Sequence, residues 1–189
     1  FDIKFAQSAD IMYIVHPSHA IRKLSRTGHT SWTLSTVSIT GSPSPALNTG
    51  TGKFPSCVTF FEQRLVFAGT NDNPQTLFFS KSAELENFTT GSNASDAMIY
   101  SIASNKVNAI RYLSAQRSLL VGTVGGEFVV SASGTTSPIT PTNIQIQRQS
   151  SYGSANVDAV QIENVTMFLQ RAKRKIRELT YNLNIDQYQ

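Results

Sequence analysis

Four strand–turn–strand segments recur along this chain at nearly even spacing, and that recurrence restricts the fold more than any other feature. They read "IMYIVHPSHAIRKLSR" (11–26), "RLVFAGTNDNPQTLFFSK" (64–81), "SLLVGTVGGEFVVSAS" (118–133) and "VTMFLQRAKRKIRELT" (165–180). Each is an apolar run, a turn, and a second run of strand-forming residues. The third turn contains Gly-Gly, a tight hairpin signal, and the fourth is basic. Aligned on their first strands, Met12, Leu65, Leu119 and Met167 correspond, with spacings of 53, 54 and 48 residues.

The flanks recur as well. A strand-like run precedes each hairpin: "FDIKFAQ" (1–7), "CVTFFEQ" (57–63), "VNAIRYL" (107–113) and "AVQIEN" (159–164). Another follows the first three: "WTLSTVSI" (32–39), "AMIYSIAS" (97–104) and "NIQIQRQ" (143–149). Four strands in up-and-down order, repeating every ~40–50 residues, are the pattern of a β-propeller blade. The competing fold is a β-sandwich whose hairpins merely look alike; recurrence of both order and spacing favours blades. The prediction is an all-β, propeller-like domain spanning 1–189, with blades near 1–40, 54–104, 107–149 and 157–182. Leu65, Phe67, Leu119 and Val121 are expected between adjacent sheets. The run 171–177 is expected as strand and turn, not helix, because of its place in the repeat.

The stretch "GSPSPALNTGTG" (41–52) then joins one blade to the next, and with 90–97 and 133–142 it is expected at a blade's outer edge. The fourth unit reads as three strands, since "YNLNIDQYQ" (181–189) is polar and poor in strand formers. A weak final strand makes a poor latch, so the chain is predicted to be an arc of a larger propeller. Its open ends would take later blades or another copy. The first residue, Phe1, is not Met, which fits a piece of a longer chain.

Composition agrees with a β-rich fold: 40% hydrophobic residues but only 15% charged ones. No apolar run approaches the ~18–20 residues of a membrane span, and residues 1–20 carry no signal-peptide pattern. Cys57 is the single cysteine and can form no internal disulfide. The net charge of +4 is a weak pointer to nucleic acid by itself. Three Asn-x-Ser/Thr sequons, at Asn87, Asn93 and Asn164, are what chance gives in a chain rich in these residues.

Candidate chemistry is sparse. "HPSH" sets His16 and His19 three apart, but no cysteine or acid stands at ligand spacing and Pro17 marks a hairpin turn. No nucleophile elbow occurs. "GTVGGE" (122–127) lacks the Gly-Lys-Ser/Thr of a phosphate loop and reads as a turn. No enzyme activity, cofactor or metal is expected. The one marked charge cluster is Arg171, Lys173, Arg174, Lys175 and Arg177. Strand alternation would put Lys173, Lys175 and Arg177 on one side, and Arg174, Ile176 and Glu178 on the other. Such a tip can approach phosphates or a partner; its commoner use is a solvated turn that keeps an edge from aggregating.

Longer phrases carry a resemblance. "FAQSADIMYIVHPSHAIRKLSRTGHTSWTL", "FPSCVTFFEQRLVFAGTNDNPQTLFFSKSAELENFT", "IASNKVNAIRYLSAQRSLLVGTVGGEFVVS" and "ITPTNIQIQRQSSYGSANVDAVQIENVTMFLQRAKRKIRELTYN" resemble phage and prophage structural proteins. These are like the tail nozzle (tail tubular protein B) and the head-completion or stabilisation proteins of short-tailed phages. The resemblance spans residues 1–182. It implies a propeller-like body in a multimeric head-to-tail connector tube through which the genome leaves, with no catalytic residues. It also implies a protein made in the bacterial host cytoplasm and resident in the virion, at the tail or portal vertex. Its partners would be other copies of itself and neighbouring tail or portal-vertex proteins, with transient contact to genome DNA. The alternative function is a propeller that binds a carbohydrate or peptide, for example on a host surface.

Overall fold

The structure is a computed structural model that describes residues 2–103, 108–133, 138–182 and 187–188. The expected start of the third unit at 107, the middle of the loop at 134–137, Phe1 and most of the tail after 182 lie outside the described residues. The described chain is all-β, without a helix, and its strands fall into four consecutive four-stranded antiparallel sheets. Sheet one holds β1 (Lys4–Ser8), β2 (Ile11–His16), β3 (His19–Gly28) and β4 (Ser31–Thr36). Sheet two holds β5 (Cys57–Phe61), β6 (Arg64–Ala68), β7 (Thr76–Phe79) and β8 (Met98–Ser101). Sheet three holds β9 (Ile110–Ala115), β10 (Leu119–Thr123), β11 (Gly126–Ala132) and β12 (Ile144–Ser150). Sheet four holds β13 (Val160–Ile162), β14 (Val165–Leu169), β15 (Ile176–Asn182) and β16 (Gln187–Tyr188). Within each sheet, spatial order follows chain order.

The fourth sheet therefore has the outer strand that its composition argued against. Tyr188 pairs with Tyr181, and Gln187 with Asn182. The free edge of β15 offers backbone donors and acceptors whatever side chains approach, and an outermost strand needs no apolar face. Side-chain polarity was the wrong criterion there.

Alternation along each strand sends successive side chains to opposite neighbours. On β6, Leu65 and Phe67 pack toward sheet one with Tyr13, Val15 and Ile21, while Val66 and Ala68 pack toward sheet three. On β10, Leu119 and Val121 face sheet two, while Leu120 faces sheet four with Phe168 and Leu179. Leu65, Phe67, Leu119 and Val121 are all fully buried, as expected from the repeat. Burial of such a side chain contributes ~1.5–3 kcal/mol, so these three interlayers hold the stack together. Met167 does not take the place of Leu65, with which the repeat aligned it: Thr166 is level with Leu65, and Phe168 with Phe67. Two-residue turns precede β2, β6 and β14, which puts Met167 level with Val66 and facing away from sheet three. With a side-chain period of two, the one-residue offset in the aligned hairpins swapped the faces.

The sheets fan from their first strands. The closest inter-sheet approaches run from β1 to β5 and from β5 to β9. At this hub the buried Lys4 reaches the Arg111 carbonyl, sits 3.8 Å from Cys57 Sγ, and pairs with Asp158 at 2.8 Å. Burial pushes the Cys57 thiol up, with the Lys4 charge working against it. The arrangement is propeller-like, but the ring is not closed. Phe5 and Leu34 on sheet one and Val160 and Ile162 on sheet four stay more than half exposed.

The long connections do more than skirt the outer edge. Residues 41–52 run from the outermost β4 to the β6–β7 turn, where the Asp72 amide donates to the Gly52 carbonyl at 2.9 Å, and Leu47 is fully buried between sheets one and two. Asn48 fixes this plug: its Oδ1 accepts from the Ile21 amide at 2.8 Å and its Nδ2 donates to the Val37 carbonyl at 3.0 Å. Ile139 plugs the next interlayer, its amide donating to Glu62 Oε2 at 2.6 Å.

Glu62 and Gln63, joining β5 to β6, both adopt left-handed backbone, with φ of 45° and 61°. That is the type I′ hairpin turn, which favours Asn-Gly and is strained for longer side chains. Gln63→Gly should stabilise the protein by about 1 kcal/mol, while Glu62 keeps its bond to Ile139. Chemical denaturation checks this; an unchanged or lower midpoint contradicts it.

Candidate nucleic-acid interface

The turns between second and third strands lie at one end of the stack, and neighbouring turns touch. Asn71 in the second donates to the Pro17 carbonyl in the first at 3.5 Å. Between sheets three and four the contact is tighter, because residues 153–155 thread between two turns. The Ser154 amide donates to the Thr123 carbonyl at 2.7 Å, and the Arg171 amide donates to the Gly153 carbonyl at 2.8 Å. Gly153 is required here: its φ is +72°, and a Cβ would stand 2.2 Å from the Val124 carbonyl oxygen.

Beneath this thread lies a buried polar anchor. Glu127, on β11, accepts hydrogen bonds from Ser150 and, at 2.7 Å, from Ser154 Oγ. Tyr112 lies across Gly122, where a Cβ would meet its ring at 2.0 Å. Burial, reinforced by the Glu127 carboxylate, holds the Tyr112 phenol well above its ordinary range, so it stays protonated. The anchor fixes the tip of sheet three against that of sheet four.

The five predicted basic residues emerge from that base. Residues 171–175 form the turn between β14 and β15, closed by the Gln170 amide on the Lys175 carbonyl at 2.9 Å. Lys173 has φ of +56°. The predicted alternation thus fails for 171–175, because a turn has no two-faced pleat; it begins only at Ile176. Arg171, Lys173, Arg174 and Lys175 are exposed. Arg177 is half-buried, its guanidinium 4.0 Å from the centre of the Tyr152 ring. Among the described residues, none of these five cations takes part in an ion pair.

The fold adds two members that sequence reasoning missed. Arg148, at the end of β12, donates to the Gly125 carbonyl at 2.7 Å. Arg171 reaches the adjoining Val124 carbonyl at 3.5 Å. The two arginines flank one turn from opposite sides. Tyr152, exposed at the exit of sheet three, offers its ring beside Arg177. Neither Arg148 nor Tyr152 lies near the basic run in sequence, so only the folded contact joins them. Cations around an aromatic platform suit a phosphate backbone: the charges attract it and the ring offers a stacking surface.

The three histidines are divided between two turns of sheet one. His16 and His19 flank the first turn with ring centroids 4.8 Å apart, and His16 Nδ1 accepts from the Ser18 amide. His29 sits in the β3–β4 turn beside Arg26. Among the described residues no group of three His, Cys, Asp or Glu could hold a metal ion. No described helix is long and apolar enough to cross a membrane. In comparisons with known proteins, no protein-family profile and no curated sequence matches the chain.

Proposed function

We propose that this protein is a non-enzymatic structural component of a phage or prophage virion, part of the tail nozzle or head-to-tail connector tube. The observation that carries the reading is the basic tip of sheets three and four. Arg171, Lys173, Arg174 and Lys175 stand on a turn tied to its neighbour by backbone bonds, Arg148 flanks that neighbour, and Arg177 stacks on Tyr152. A wall along which DNA slides needs charge without base readout, since phosphate contacts position nucleic acid but carry no sequence information. Exposed lysines and arginines on a rigid β-scaffold meet that need. The phage-like phrases in all four units point the same way. Its partners are further copies and neighbouring tail or portal-vertex proteins.

The test is genetic and structural. A producing strain in which the gene is deleted should release particles lacking this subunit at the portal vertex, and their DNA delivery should fall by orders of magnitude. Supplying the tagged chain in trans should restore both, with the tag found at the vertex by electron microscopy. Full infectivity without the protein, or label elsewhere in the cell, would reject the proposal.

A further inference from the structure

The stack ends in two bare sheet faces. On sheet one, Phe5, Met12, Ile14, Leu24, Trp32 and Leu34 lie on the side turned away from sheet two. On sheet four, Val160, Ile162, Val165, Met167, Leu169 and Ile176 lie on the side turned away from sheet three. Phe5 is 62% exposed, Leu34 59%, Val160 60% and Ile176 68%. Contiguous exposed apolar faces mark an interaction surface.

The direction of the stack specifies what fits them. Each internal interlayer sets the later-facing side of one sheet on the earlier-facing side of the next. First strands meet first strands, as in β1 on β5, and second strands meet second strands, as in Tyr13 on Phe67. The bare side of sheet four is a later-facing side, and that of sheet one is an earlier-facing side. They are the two halves of one more interlayer of the same kind. Within one molecule only the opening residue of β1 and the chain ahead of β1 and β13 meet at the hub, through Lys4 with Asp158 and Asp2 with Asn156 at 3.4 Å, while the bare faces stay exposed. Their charges are complementary too. Arg22 stands on the third strand of sheet one, in the row of Phe5 and Ile14. Glu178 stands on the third strand of sheet four, in the row of Val160 and Met167. Both are exposed, and neither has an ion-pair partner among the described residues.

We propose that the bare face of sheet four docks on the bare face of sheet one in a second copy of this chain. The stack then continues head to tail, with Arg22 of one copy against Glu178 of the other. Such a contact joins two different patches, so copies either close into a ring or extend. It rests on the chain's own surfaces and needs no virion.

Sedimentation of the purified chain tests it. Mass should rise above 20.7 kDa with concentration, as mass action requires. Arg22→Glu alone and Glu178→Arg alone should each weaken association at least ~tenfold, as like charges meet across the interface. Mixing the two single variants should restore association, because contacts between unlike copies regain one charge of each sign. Leu34→Asp should abolish it, with an unchanged far-ultraviolet spectrum showing that the sheets persist. A monomer at every concentration would overturn the proposal, and so would association indifferent to both charge reversals. Loss in the single variants with no recovery on mixing would also overturn it.

Discussion

Replacing Arg64 by alanine should lower the unfolding free energy by about 3–5 kcal/mol, a large share of a typical total of about 5–15 kcal/mol. Arg64 opens β6 and is 2% exposed. Its guanidinium donates to the carbonyls of Ser80 and Asp96 at 2.7 Å, Ala94 at 2.5 Å and Ser95 at 3.4 Å. One side chain thus ties the start of β7's exit loop and the residues entering β8 to the centre of sheet two. Burial works against the charge, while Glu62 and Asp96 support it. Alanine would strand the buried Ser80 carbonyl and take the donor from the part-buried carbonyls of residues 94–96 as well. Arg64→Lys should recover only part of the loss, since a point charge on a single stem cannot fork to separated acceptors. Denaturant midpoints measure the total, and hydrogen exchange at 94–101 locates it. A loss of under about 1 kcal/mol in Arg64→Ala, the range of ordinary surface changes, would show the carbonyls to be solvated and this account wrong.

Most of the architecture was legible because the two periods that define it are both written in the chain. The period of two along Leu65 to Ala68 assigns residues alternately to two interlayers. The longer recurrence of hairpins says that the interlayers repeat. What escaped was set by backbone pairing, turn length and contacts between distant loops. β16 forms on a polar segment because pairing satisfies the β15 edge. The Met167 offset arose from matching apolar residues by kind, when turn length controls register. Leu47 and Ile139 sit alone among Gly, Ser, Thr and Pro, so no periodicity announces them as core. Their burial depends on caps by Asn48 and Glu62, which are visible only once the loop is folded.

The candidate interface was half legible for a similar reason. A run of like charges is local and stands out, as at 171–177. Arg148 and Tyr152 come from a different sheet and its exit, and join the cluster through Gly153 and the Val124 carbonyl. Long-range adjacency of this kind leaves no trace in residue spacing. The expected two-sided pattern failed for the same physical cause that makes the tip prominent: residues 171–175 leave the sheet.

Duplex DNA should bind the purified chain without sequence preference, and the combined change Lys173→Asn, Arg174→Ser and Lys175→Ser should remove most of that binding. Asparagine is chosen at 173 because φ of +56° suits it better than serine. Each phosphate contact releases condensed counterions and contributes about 0.9 to the slope of log affinity against log salt, so losing three contacts should flatten the slope by about 2.7. The fold should persist, since all three side chains are exposed and the turn is closed by backbone bonds from Gln170 to Lys175. Fluorescence anisotropy over a salt series gives the slope, and a thermal melt confirms the fold. Arg148→Ser, made on top of the triple variant, should flatten the slope by roughly one more contact's worth. That step separates a folded surface from a merely basic peptide, because Arg148 belongs to the patch only through the contact between sheets three and four. A salt slope unchanged by the triple substitution would remove the basic tip from any role with nucleic acid. A slope reduced by the triple change but untouched by Arg148→Ser would confine the interface to the β14–β15 turn.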